Sequence, residues 1–258
     1  MTQVRERAQV LCTADGVRLR ARVEGAGSTW LVVAHGFSGS SDGPAVRRIT
    51  ARLARRATVL SYDARGHGRS GGLSTLGDRE VLDVDAAVAH ARASGARRVA
   101  TVGFSMGAAA VVRHASGVAG YGLHERPDAV VAVSGTGPWS TRATATRAMR
   151  RLHLLVETRA GRLVARTALR TRVDPRGWAV PPVPPAACVA DVPVPLLVVH
   201  GDADGYFRPE HPAALARAGA PLWLEPGMGH AEAGTTPALL DRIGDHLQEV
   251  LAMEGDTP

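Results

Sequence analysis

Gly103-Phe104-Ser105-Met106-Gly107 follows the apolar run Val99-Ala100-Thr101-Val102 and opens the small-residue run Ala108-Ala109-Ala110-Val111-Val112. A G-x-S-x-G pentapeptide in that setting predicts a sharp strand-to-helix turn that lifts a serine hydroxyl above the end of a sheet. The flanking glycines let the two backbones approach without a Cβ clash. Such a turn confines the chain to folds in which a buried strand feeds directly into a helix, and it makes Ser105 the candidate nucleophile.

The rest of the chain fits that constraint. Apolar strand runs are expected near 30–35, 58–63, 98–103, 129–134, 195–200 and 221–225. Helical patterns over 44–56, 78–94, 106–116, 210–219 and 236–252 separate most of them, which reads as right-handed parallel βαβ units. In the second helix Val81, Val84, Val88 and Ala91 show helical spacing. Val17 to Val23 alternates polar and apolar like a half-exposed antiparallel edge. No internal repeat is apparent.

A serine hydroxyl is a weak nucleophile unless a histidine takes its proton and an acid orients that histidine. Leu196-Leu197-Val198-Val199 runs into His200-Gly201-Asp202-Ala203-Asp204, which sets carboxylates just beyond a strand end. Pro221-Leu222-Trp223-Leu224 leads into Glu225-Pro226-Gly227-Met228-Gly229-His230, a histidine on a glycine-rich loop. The order is Ser105, acid, His230, with Asp202 and Asp204 both available as the acid.

With these motifs the chain resembles the α/β-hydrolase-fold serine hydrolases, of the esterase and serine-aminopeptidase-like kind, over about 16–135 and 195–250. Leu31-Val32-Val33-Ala34-His35-Gly36-Phe37 is similar to the family's strand followed by an H-G-x turn, and Tyr62-Asp63-Ala64-Arg65-Gly66-His67-Gly68-Arg69-Ser70 to the loop after its next strand. The resemblance implies a mostly parallel sheet flanked by helices, a Ser105–Asp204–His230 triad, and an oxyanion hole formed by the N–H groups of Phe37 and Met106. The family's H-G-x-x-D spacing favours Asp204 as the acid. Asp202 is expected to cap the loop by accepting backbone N–H bonds.

Residues 136–194 are too long for an ordinary loop. By resemblance they form a small helical cap over a core made of 1–135 and 195–258. Ala145, Met149, Leu152 and Val156 predict a helix with one apolar stripe that packs on the core and lines a pocket. A second helix is expected over about 162–170, after a break at Gly161. Pro181, Pro182, Pro184 and Pro185 are expected to exclude helix and give an extended return.

All 31 basic residues are arginine and neither lysine nor asparagine occurs, a bias that reads as codon usage in a GC-rich genome. The formal net charge of +7 therefore weighs little as a sign of nucleic acid. The insert holds ten arginines against Glu157, Asp174 and Asp191, whereas the remainder balances. Arg142, Arg150, Arg159, Arg166 and Arg170 do not line up on one face, which argues against a lipid-binding stripe. One or two of them are expected to turn inward and clamp a substrate carboxylate.

Other function classes find little support. No H-x-x-x-H helix, paired-cysteine cluster, Walker loop or G-x-G-x-x-G opening a helix is present, so neither metal nor cofactor is expected. Aromatics are too thinly spread for a single-strand stacking platform. No run approaches the length that spans a bilayer. The first eleven residues lack an apolar signal core, and Cys12 and Cys188 read as free, inert thiols, so a cytoplasmic location is expected. His35 and His67 are expected to shape the oxyanion loop, and His200 to orient the acid loop. His90, His114, His124, His153, His211 and His246 read as surface residues, and Asp83 and Asp85 as exposed helical carboxylates.

The resulting expectation is a cofactor-independent serine hydrolase acting on small-molecule esters. Amidase or peptidase, lyase and perhydrolase chemistry remain open on the same residues, as does a silent ligand-binding receptor.

Overall fold

The computed structural model describes residues 7–139 and 144–253. Eight strands form one sheet: β1 (Arg7–Cys12), β2 (Arg18–Glu24), β3 (Thr29–Ala34), β4 (Thr58–Tyr62), β5 (Arg98–Phe104), β6 (Ala129–Val133), β7 (Leu196–Gly201) and β8 (Leu222–Glu225). Their spatial order is β1-β2-β4-β3-β5-β6-β7-β8. β1 pairs antiparallel with β2 and β2 antiparallel with β4. The remaining pairs are parallel. The Val17–Val23 segment is thus not the edge: β2 lies inside the sheet and β1, with mostly exposed side chains, takes the edge position.

The parallel strands β3 to β7 in the middle of the sheet are largely apolar because both faces are covered, whereas β2 carries Arg18, Arg20 and Arg22. Side chains alternate between faces with period two. Val32, Leu60 and Val198 therefore join one core, and their chain neighbours Val33, Val59 and Val199 the other. Helices α2 (Glu80–Ala93) and α3 (Met106–Ser116) cover the first face; α1 (Pro44–Leu53) and α9 (Pro237–Met253) cover the second. Each fully buried Val or Leu contributes about 1.5–3 kcal/mol relative to exposure.

β3 pairs with β4 on one side and with β5 on the other. Here the strand order reverses, and the loops leaving the carboxyl ends of β3 and β5 diverge over opposite faces. That topology opens a crevice above the sheet, and Ala34 and Gly103, partners in register, bring both strand ends to it.

Several helical expectations need correction. Asp83 and Asp85 are buried, not exposed. Asp83 accepts the Arg65 main-chain N–H at 2.7 Å and its Nε–H at 2.8 Å, and Asp85 accepts the N–H groups of His124 and Glu125. His114 is buried against Asp85, and His211 is buried as well.

Between β6 and β7 lie α4 (Arg147–Glu157), α5 (Arg159–Ala168) and the one-turn α6 (Pro185–Cys188). The break falls at Thr158 rather than Gly161: the Thr158 hydroxyl accepts the Gly161 N–H at 2.9 Å and caps α5. Gly161 sits inside α5, where a Cβ would come within 2.3 Å of the Leu154 carbonyl. Pro185 opens a helix instead of excluding one, since its missing N–H costs nothing in the first turn. The stripe is realised on α4 by Met149, Leu152 and Val156, while Ala145 lies before the Thr146 cap and packs with Met149 and Leu152 on Phe207. Among the described residues no helix is long and apolar enough to cross a membrane.

Candidate active site

Ser105 stands between β5 and α3 with φ 51°, a left-handed conformation that is strained for a residue with a side chain. The turn closes because Gly107 has no Cβ; one there would meet the Ala34 carbonyl at 2.2 Å. The Ser105 Oγ lies 2.9 Å from His230 Nε2. His230 follows β8 and precedes the short helix α8 (Ala231–Gly234). Its Nδ1 lies 2.7 Å from Asp204 Oδ2.

Asp204, in the loop after β7, is almost fully enclosed, with its side chain 1% exposed. Oδ1 accepts the N–H groups of Tyr206 at 2.8 Å and Phe207 at 3.0 Å. Burial penalises its charge, but the His230 hydrogen bond and these N–H donors outweigh the penalty and hold its carboxyl below the ordinary range. An ionised Asp204 only accepts, so His230 Nδ1 carries the proton. Nε2 is then left bare to accept from the Ser105 hydroxyl. Asp202 points elsewhere, accepting the Gly227 N–H at 2.7 Å.

Sequence reasoning missed the groups that hold this histidine. The Tyr206 ring lies 4.4 Å from the His230 ring, and Phe207 packs edge-on at 5.4 Å. His200, which the sequence did single out beside the acid loop, is buried at the end of β7 with Nε2 3.8 Å from Asp204 Oδ2.

The turn after β3 rests on two buried histidines. His35 Nδ1 donates to the Gly36 carbonyl at 2.7 Å, while its Nε2 accepts the Ala64 N–H at 3.0 Å. His67 packs edge-on against both His35 and Phe37. Burial, reinforced by His35, lowers the His67 pKa to about 3, so its ring is neutral. Glu232, another residue the sequence did not single out, accepts the Gly36 N–H at 2.6 Å. The next N–H along, that of Phe37, has no acceptor among the described residues, nor does that of Met106, the first residue of α3.

Phe37, Ser105 and Met106 line one cavity of about 350 Å³. Trp139, Trp178, Met149, Leu152 and Val156 also line it. No arginine lines it among the described residues; Glu157 and Asp174 do. Arg150, Arg159, Arg166 and Arg170 are exposed, and Arg142 lies outside the described residues. The expectation of an inward-turned arginine thus finds no counterpart in the described wall.

Residues 31–241 match a family model described as Alpha/beta hydrolase family. No curated protein sequence matches the chain. Among solved structures, an esterase of Pyrococcus furiosus superposes with a TM-score of 0.74 at 21% identity, covering 96% of this chain and 92% of its own. A protein of Butyrivibrio proteoclasticus solved with ferulic acid bound gives 0.65 at 19% identity, over 95% and 100% of the two chains. A serine hydrolase of Xanthomonas campestris described as lacking a lid gives 0.59 at 19% identity, over 98% and 97%. At these identities the likeness is one of fold.

Proposed function

The chain belongs to the alpha/beta hydrolase family, and from that premise we propose that it cleaves carboxylic esters through an acyl-enzyme on Ser105. One observation carries the reading: an unbroken path from Ser105 Oγ through His230 to Asp204, with steps of 2.9 and 2.7 Å, on the wall of a cavity.

His230 Nε2 takes the hydroxyl proton as Ser105 Oγ attacks the ester carbonyl. Asp204 stabilises the imidazolium that results. The negative charge on the former carbonyl oxygen is met by the Phe37 and Met106 N–H groups, which have no acceptor among the described residues and so stay available. Collapse of the tetrahedral intermediate breaks the carbonyl carbon–oxygen bond, and the alcohol leaves with the proton from His230. Water then attacks the acyl-enzyme, giving its proton to His230, which returns it to Ser105. No step calls on a metal or cofactor.

Residues 136–194 are read as a cap on a core of 1–135 and 195–258, because Met149, Leu152 and Val156 line the same cavity as Ser105, Met106 and Ala109. The free thiols of Cys12 and Cys188 support a reducing, cytoplasmic setting.

The test is labelling with a fluorophosphonate, mapped by peptide mass, alongside proton release from simple ethyl esters. Ser105→Ala removes only a hydroxyl and is expected to fold normally. It should abolish labelling and reduce turnover by about 10³-fold or more. Ester cleavage that survives in the alanine variant overturns the mechanism.

A further inference from the structure

The protein is poor in aromatic residues, with four tryptophans, three tyrosines and three phenylalanines in 258 residues. Four of those rings, Phe37, Trp139, Trp178 and Phe207, line the cavity that contains Ser105. Trp139 comes from the segment after β6 and Trp178 from the segment before α6, yet their ring centroids lie 4.9 Å apart at an interplanar angle of 52°.

Both indoles have their polar edge already engaged. Trp139 Nε1 donates to the Pro182 carbonyl, and Trp178 Nε1 donates to the Thr75 carbonyl at 2.6 Å. What they offer a ligand is ring surface and hydrocarbon edge. The Trp139 ring edge and the first turn of α3 border the same glycine: a Cβ built on Gly77 would meet Trp139 Cη2 at 3.6 Å, Ala109 Cβ at 3.8 Å and the Met106 carbonyl at 4.0 Å.

The wall beneath them is held firmly. The buried Glu80 carboxylate accepts from Ser74 Oγ at 2.9 Å, Thr75 N at 2.8 Å, Thr75 Oγ1 at 2.7 Å and Gly77 N at 2.9 Å. The 74–77 segment is therefore fastened by Glu80 on one side and by Trp178 on the other. A slot with these two rings packed on each other in its lining offers a flat aromatic occupant face and edge contacts that a puckered ring cannot make.

We propose that this slot takes an aromatic ring on the acyl side of the ester, the phenylpropanoyl type being the simplest case. This deepens the hydrolase reading and rests on it for the chemistry. The acyl half is the half retained on Ser105 after the alcohol departs, and it therefore gains most from an enclosed site.

The experiment compares ethyl 3-phenylpropanoate with ethyl 3-cyclohexylpropanoate, two acyl groups of the same branching that differ in flatness and π surface. The protein should favour the aryl ester in kcat/KM by about fivefold, the factor expected of one well-placed aromatic contact. Trp178→Leu should bring the ratio towards one, and Trp178→Phe, which keeps a ring, should retain most of it. Because both esters are assayed on one preparation, a misfolded fraction cancels from the ratio.

Two controls separate the slot from the chemistry. Ethyl acetate turnover by the unaltered protein reports ester cleavage by itself. Calorimetric binding of 3-phenylpropanamide against 3-cyclohexylpropanamide reports the slot without turnover. Tighter binding of the aryl amide upholds the slot even if no ester is cleaved. Equal binding with equal turnover overturns it, as does an aryl preference that persists in Trp178→Leu.

Discussion

Glu232 Oε1 accepts the main-chain N–H of Gly36 at 2.6 Å, across 196 positions of sequence. The bond ties the turn after His230 to the turn after β3, one residue before the N–H of Phe37. Arg48 anchors the same turn by donating to the carbonyls of Glu232 and Thr235. The carboxylate thus positions the loop that is proposed to hold the oxyanion.

Removing that acceptor leaves the Gly36 N–H unpaired and frees the Phe37 peptide to rotate. Hydrogen bonds to charged groups contribute about 1.5–3 kcal/mol. Glu232→Ala should therefore lower kcat about tenfold with little change in KM. Glu232→Gln, which still offers an acceptor oxygen, should stay within a few-fold of the parent. Steady-state kinetics on one small ester would read both, and an unchanged kcat in the alanine variant would remove Glu232 from the oxyanion machinery.

The two acids after β7 have separate tasks. Asp204 faces His230 and draws in two further N–H groups, whereas Asp202 holds only the turn at Gly227. Asp204→Asn keeps the shape but cannot hold the required histidine tautomer, and should reduce kcat about 10³-fold or more. Asp202→Asn should cost less than about tenfold, since its amide oxygen still accepts the Gly227 N–H. The reverse ranking in matched kinetics would reassign the acid.

The sheet was legible because strands buried on both faces must be apolar throughout, as in Leu196 to Val199. The meeting of Ser105, Asp204 and His230 follows from the same rule, since parallel strands deliver their following loops to one edge. Asp83 was misread because α2 turns polar residues inward, towards an arginine that comes from a different loop. Glu232 and the Trp139–Trp178 pair carried no local signal at all: each acts through a partner distant in sequence, and spacing within a segment cannot report that. The Thr158 cap was readable in principle as a threonine before a helical run, but Gly161 competed with it as a helix breaker and served instead as a packing glycine.

Buried neutral histidine leaves a mark on stability. The folded pKa of His67 is lowered to about 3 from an ordinary 6.5. As pH falls, the unfolded chain takes up this proton first. The stabilisation is therefore complete above about 6.5 and is lost as pH drops from there towards 3, by up to about 1.4 kcal/mol per pH unit. His67→Gln, which can still donate to the Arg65 carbonyl, should flatten that dependence even if it lowers stability at pH 7. Urea unfolding midpoints at pH 7, 6 and 5 would test this, and parallel pH profiles for parent and variant would contradict it.

The charge of the insert bears on substrate preference in the opposite sense to its composition. The exposed Arg150, Arg159, Arg166 and Arg170 contribute nothing to the cavity wall, while Glu157 and Asp174 belong to it. Arg176 hydrogen-bonds Asp174 and holds its carboxyl below the ordinary range, which keeps it ionised at neutral pH. An acyl group ending in a carboxylate approaches these two carboxylates, and no arginine belongs to the described lining to receive it. Monoethyl adipate should therefore show a several-fold higher KM than ethyl hexanoate at low ionic strength. Added salt should narrow the gap, because Glu157 is exposed and its charge is screened over about 10 Å at 0.1 M. A lower KM for the anionic ester at low salt would mean that an arginine does reach the substrate.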